Sequence, residues 1–170
     1  MIQSKKQTRW MLGLFLIYFV VIIWVIIFKM SFSIHELTQL RSINLIPYGD
    51  SAIVNQQVDF SEIYMNILAF VPFGIYLAML KPNSAIVKLV AIVGFTSLSI
   101  EVIQYLFAIG ASDITDLIGN TFGGLLGILF NRVSVEILKS RQKTNKIFNI
   151  LATIGTASFL ILVALIFMAN

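Results

Sequence analysis

Two side-chain clusters in this chain could do chemistry: Glu101 with Gln104, and Asp113 with Asp116 and Asn120. Asn66 is a further polar residue of the same kind. All of them sit inside or at the mouth of long apolar runs. Carboxylates in such a setting can act as general acid and base, or hold an amine or a divalent cation. An ionisable group at mid-bilayer costs roughly 2.5–3.5 kcal/mol by insertion scales, so its presence needs an internal reason. That reason is either a polar site or a hydrogen-bond network between helices.

The elements that position these residues are transmembrane. Of the 170 residues, 58% are hydrophobic and only 12% are charged, about half the charged share of a soluble domain. The mean hydropathy is +0.92. Apolar runs at about Trp10–Phe28, Ile63–Leu80, Leu89–Ile109, Leu117–Phe130 and Ile147–Met168 predict five helices. The fourth is short unless it begins near Asp113. The expected fold is therefore all-α: a single polytopic membrane helix bundle over residues 1–170, multi-pass in the cell membrane. The first apolar run is longer than a signal-peptide core and no small-x-small cleavage site follows it, so it is read as a retained helix.

The basic residues set the expected orientation. Lys5, Lys6, Arg9, Lys81, Lys88, Arg132, Lys139, Arg141, Lys143 and Lys146 all fall on one side of a five-span chain, and only Lys29 and Arg41 fall on the other. The positive-inside rule makes that side, and the N-terminus, cytoplasmic. This placement also accounts for the net charge of +4 without nucleic acid, since no basic patch interleaved with aromatics exists. The outer connection, Ser31–Ser61, carries Ile34, Leu37, Leu40, Ile43 and Ile46 at intervals of three, which predicts a helical turn or two on the membrane surface. The inner connection, Asn131–Lys146, reads as a basic helical linker over anionic headgroups.

At 1.5 Å per residue, Asn66 lies about 22 Å from Lys81, Glu101 about 20 Å from Lys88 and Asn120 about 18 Å from Arg132. Three helices thus put polar groups at one level in the outer half of the bilayer. Asn66, Glu101, Gln104, Asp113, Asp116 and Asn120 form the candidate binding cluster. Gly119, Gly123 and Gly127 recur every four residues and predict close helix packing on the fourth span. Structural alternatives stand beside each assignment: Asp113 as the cap of the fourth helix with Asp116 in a capping-box position, and the two asparagines as interhelical links.

No metal or cofactor site is expected. The only histidine, in His35-Glu36-Leu37-Thr38-Gln39, lacks the second histidine of a zinc protease motif, and there is no cysteine.

Four motifs in order are Asn44-x-x-Pro47-Tyr48, Asn66-Ile67-Leu68-Ala69-Phe70-Val71-Pro72-Phe73-Gly74, Glu101-x-x-Gln104, and Asp113-Ile114-x-Asp116-Leu117-x-x-Asn120-Thr121-x-Gly123. Together, over about Asn44–Phe130, they resemble the VanZ-like family of small bacterial membrane proteins, with the basic linker and last helix at 131–170 outside that core. Many members carry an arginine three residues before the first aspartate of the last motif; this chain has Gly110 there. The resemblance implies a cell-envelope factor associated with resistance to the glycopeptide teicoplanin, acting at the outer face without an established enzymatic reaction. The expected partners are the bilayer and an amphiphilic or lipid-linked ligand.

Two other classes remain open: an intramembrane enzyme on a lipid headgroup or cell-wall precursor, with Glu101 as general base and Asp113 or Asp116 assisting, and a helix-packing scaffold. A transporter is disfavoured by the absence of a duplicated half.

Because the chain has no cysteine, single cysteines report its sidedness. Ser51→Cys is expected to react with a membrane-impermeant maleimide in intact cells, and Lys143→Cys only after permeabilisation.

Overall fold

A computed structural model of the chain describes residues 5–28, 41–47, 53–54, 57–58 and 60–169. Five helices account for most of them: α1 (Lys5–Phe28), α2 (Ser61–Leu80), α3 (Ile86–Phe107), α4 (Ile114–Leu138) and α5 (Arg141–Ala169). Each is long and apolar enough to cross a membrane. Four short strands accompany them: β1 (Arg41–Asn44), β2 (Ile53–Val54), β3 (Gln57–Val58) and β4 (Gly110–Asp113). The fold class is the all-α membrane bundle that composition predicts.

The helix ends follow local chemistry. Asp113 accepts the N–H of Thr115 at 2.7 Å, so the fourth helix starts at Ile114 and gains the length that its apolar run lacks. It also continues past Phe130 to Leu138, where Lys139 turns left-handed (φ 48°). Ser140 then caps α5 by accepting the N–H of Lys143 at 3.3 Å. The expected inner linker is thus mostly the end of one helix and the start of the next. α3 ends at Ala108 (φ 55°), where Ala108 N–H donates to the Tyr105 carbonyl at 3.2 Å and Ile109 N–H to the Gln104 carbonyl at 3.1 Å. That pair of bonds satisfies carbonyls the helix end would leave bare.

The surface-helix reading of the outer connection is corrected where it can be seen. Ile43 lies in a strand and Ile46 in the bend after it; Ile34, Leu37 and Leu40 lie outside the described residues, as does Tyr48. β1 pairs in parallel with β4, Arg41 opposite Gly110 through Asn44 opposite Asp113. The spacing of three was misleading because a partner strand this far along the chain takes up the backbone bonds.

The chain packs as two compact units. In Ile22–Asn131, α4 lies against α2 with almost nothing between them. A Cβ built on Gly123 would meet the carbonyl oxygen of Ile67, and one on Gly127 that of Val71. Gly74 of α2 faces the Gly124 backbone in the same way, while Val93 of α3 covers Gly124. Gly119 is different: its nearest neighbour would be Ile67 at an ordinary 3.7 Å. The buried stripe of α3 is Leu89, Val93, Ser97, Ile100, Glu101 and Gln104, and Phe70, Phe73, Tyr76 and Leu77 fill the second half of α2. In the other unit, Met1–Val21 with Arg132–Asn170, Met11 and Leu14 of α1 are buried, as are Thr144, Asn145 and Asn149 of α5. Beyond Asn149, no described residue of α5 is buried.

Gly123→Ala and Gly127→Ala are each expected to destabilise the protein by roughly 1–3 kcal/mol through forced separation of α2 and α4. Gly119→Ala should stay within about 0.5 kcal/mol of wild type, the range of a substitution that meets no clash. Unfolding in detergent micelles with increasing denaturant measures the order.

Candidate functional site

The site is built where α3 ends and α4 begins. The Schellman-type turn at Ala108 sends the chain back along α3 as β4, which delivers Ser112 and Asp113 onto the side of Glu101. The Ser112 hydroxyl donates to the Glu101 carbonyl at 2.7 Å. The Asp113 N–H donates to Glu101 Oε2 at 3.0 Å. In a capping box that N–H serves the residue three positions on; here it serves a buried carboxyl of the preceding helix.

Asp113 joins three elements. Its Oδ1 accepts from Thr115 N–H at 2.7 Å and its Oδ2 from Asn44 Nδ2 at 3.1 Å. A carboxylate at this place also meets the positive end of the helix. Asn44 in turn accepts the N–H of Ile46 at 3.1 Å through Oδ1, an Asx-type turn that leads into the exposed Pro47. The Asn44-x-x-Pro47 motif therefore folds the segment after β1 and ties it to Asp113. The strand register also sets Arg41 opposite Gly110, beside the position where the resembled family often carries its arginine.

The remaining polar residues of the predicted cluster form separate links. Asn66 Nδ2 donates to Asp116 Oδ1 at 2.7 Å, joining α2 to α4. Asn120, with no exposed surface, donates to Ser97 Oγ at 3.0 Å and joins α4 to α3. Gln104 Nε2 donates at 3.1 Å to the carbonyl of Ile26 in the last turn of α1. Glu101, Asp113 and Asn44 are thus brought together, while Asn66 with Asp116, Asn120 and Gln104 lie in three other contacts.

Beside Glu101 lies an open groove of about 260 Å³. Leu98, Val102, Tyr105 and Leu106 of α3 form one wall, Ile114 and Leu117 of α4 another, and Ile43 and Leu45 a third. Asn44, Glu101, Ser112 and Asp113 also line it, but the atoms named above are turned into those bonds, Glu101 Oε1 is buried, and almost all the surface the groove offers is carbon. It is a carbon-lined cleft with two carboxyl groups built into its frame.

Ser97 and Ser112 are working residues that the sequence reading missed. Ser97 had a usable signal: Ser97, Glu101 and Gln104 recur at i, i+4 and i+7 and share one helix face. Ser112 had none, because its partner is a main-chain carbonyl eleven residues away.

Comparison with known proteins agrees with the motif reading and extends it. A family model described as VanZ/LLP1 matches residues 15–139, which takes in the second part of α1 and the end of α4. Over 132 residues the chain is 34% identical to Protein VanZ of Enterococcus faecium, covering 76% of this chain and 78% of that protein. No solved structure matches.

Asp113→Ala is expected to cost about 1–2 kcal/mol, since it removes a helix cap and the anchor of Asn44. Asp113→Asn should cost less, because one amide oxygen can still cap Thr115. Thermal unfolding of the two variants in micelles tests that order.

Proposed function

The chain belongs to the VanZ/LLP1 family, and on that premise we propose that it is a non-enzymatic cell-envelope factor that lowers susceptibility to teicoplanin. It does so by taking an amphiphilic or lipid-linked molecule into the groove beside Glu101. The observation that carries this reading is the groove itself: a cleft of about 260 Å³ framed by Asn44, Glu101 and Asp113, all members of the family-like motifs. With the basic flanks in the cytoplasm, this end of α3 and α4 faces outward, where a glycopeptide meets the membrane. A teicoplanin-like molecule carries an acyl chain, and a carbon-walled cleft is complementary to it.

The engaged state of the carboxyl groups favours binding over catalysis. A general base needs reach to a substrate proton, whereas Oε2 of Glu101 and both oxygens of Asp113 accept from the protein's own donors and Oε1 of Glu101 is buried. A packing role is favoured for Asn66 with Asp116 and for Asn120 with Ser97, which bond side chain to side chain across helices.

In a teicoplanin-sensitive Gram-positive host, wild type is expected to raise the inhibitory concentration. Leu106→Trp, which fills the groove from its exposed rim, should lose most of that effect at equal membrane levels. Asp116→Asn should retain it, because an amide oxygen still accepts from Asn66. Undiminished protection by Leu106→Trp would remove the groove from the mechanism.

A further inference from the structure

The wall supplied by Ile43 and Leu45 is unusual for a membrane protein, because it is not helical. Ile43, Leu45 and Ile46 are 56%, 72% and 69% exposed, three large apolar side chains on a strand and bend. Such backbone is tolerated against hydrocarbon only when its polar groups are paired within the protein. The parallel register of β1 with β4 and the Asn44 bond to Ile46 N–H provide that pairing. The facing wall, Leu98, Val102, Tyr105 and Leu106, repeats at i, i+4, i+7 and i+8. It forms an exposed stripe of α3, distinct from the buried stripe that carries Ser97, Glu101 and Gln104.

A cleft of this kind has one chemically matched occupant. A sugar, phosphate or peptide would leave its polar groups without partners there, at a cost of several hydrogen bonds. Water would find none of the two to four partners it needs, and apolar cavities stay dry. The groove lies along a transmembrane helix, so bilayer hydrocarbon is at hand.

We propose that the groove is a resident site for one acyl chain of a bilayer phospholipid, and that Asn44 is the positioning residue that holds β1 in place as its wall. At about 260 Å³ the groove falls short of the roughly 300–1,000 Å³ of sites that enclose a whole drug-sized ligand, which suits part of one chain and not two. Asn44 acts through Asp113 and Ile46, and neither bond requires the ligand. The proposal rests on the same groove as the functional reading but not on its antibiotic: an incoming amphiphile displaces a chain that is already there.

The test uses the full chain in bilayer nanodiscs doped with phosphatidylglycerol bearing a diazirine near the methyl end of one chain, and in parallel with the same lipid bearing it on the headgroup. The chain probe is expected to label residues 98–106 and 114–117 severalfold above residues 151–166 of α5, because a chain seated between protein walls keeps packing contacts that fluid lipid gives up. Residues 151–166 are the comparator because they belong to an apolar span and are not among the residues lining the groove. Val102→Trp, at a position 47% exposed and so outside the core, should bring the labelling down to the α5 level; Leu106→Trp should do the same. Asn44→Ala should lower it severalfold while leaving the helical circular dichroism intact. Chain labelling no higher than on α5, labelling unmoved by both tryptophans, or equal preference of the headgroup probe for the groove would each overturn the proposal. Loss of the teicoplanin phenotype with the labelling preserved would overturn only the functional reading.

Discussion

The contact between α2 and α4 is the constraint on which the rest depends. In a bilayer the lipid chains are as apolar as leucine, so helices are held together by close packing and by hydrogen bonds rather than by escape from water. Here the carbonyl oxygens of Ile67 and Val71 lie where a Cβ of Gly123 and Gly127 would be. An approach that close is possible only for glycine, and it sets both the distance and the rotation of α4. With the rotation set, Asp116, two turns before Gly123, meets Asn66 beside Ile67. Gly124 is offered to Val93 of α3, and Asn120 reaches Ser97. One glycine-lined surface therefore determines which polar groups meet.

A second constraint acts at the end of the bundle, where the chain turns without helix. The turn at Ala108, the β1–β4 pair and the capping by Asp113 each supply partners to main-chain groups that helix ends and strands leave open. Asp113 does this for two elements at once, since it caps α4 and holds Asn44. Glu101 does it from the flank of α3 by accepting the N–H of Asp113. The carboxyl groups that look most like catalytic equipment are, in the folded chain, the frame of a small irregular region bordering hydrocarbon.

That arrangement gives the groove its character. Because Asn44, Ser112, Asp113 and Glu101 Oε2 direct their polarity into the frame, the surface the groove presents is made largely by Leu98, Val102, Leu106, Ile114 and Leu117. Polar residues build the cleft and apolar residues line it. In the proposed role the shape of the frame set by Asn44, Glu101 and Asp113 matters as much as the lining, because the frame holds the walls in place.

The sequence by itself determined the solvent, the number of helices and the helix that would pack most closely. Hydropathy and the recurrence of glycine every four residues are local properties, and a helix in lipid has little freedom to contradict them. It also marked Asp113 as a helix start, because a cap acts on the next two residues. Pairing was beyond it. Asn44 and Asp113 are 69 residues apart, and nothing near either one names the other. The rotation of each helix about its axis decides whether polar residues at one depth converge or, as here, separate into Asn66 with Asp116, Asn120 with Ser97 and Gln104 with Ile26. Depth can be counted along a chain at 1.5 Å per residue. Which way a side chain faces in the bundle is set by the neighbours that crowd it, and only the tertiary structure decides that.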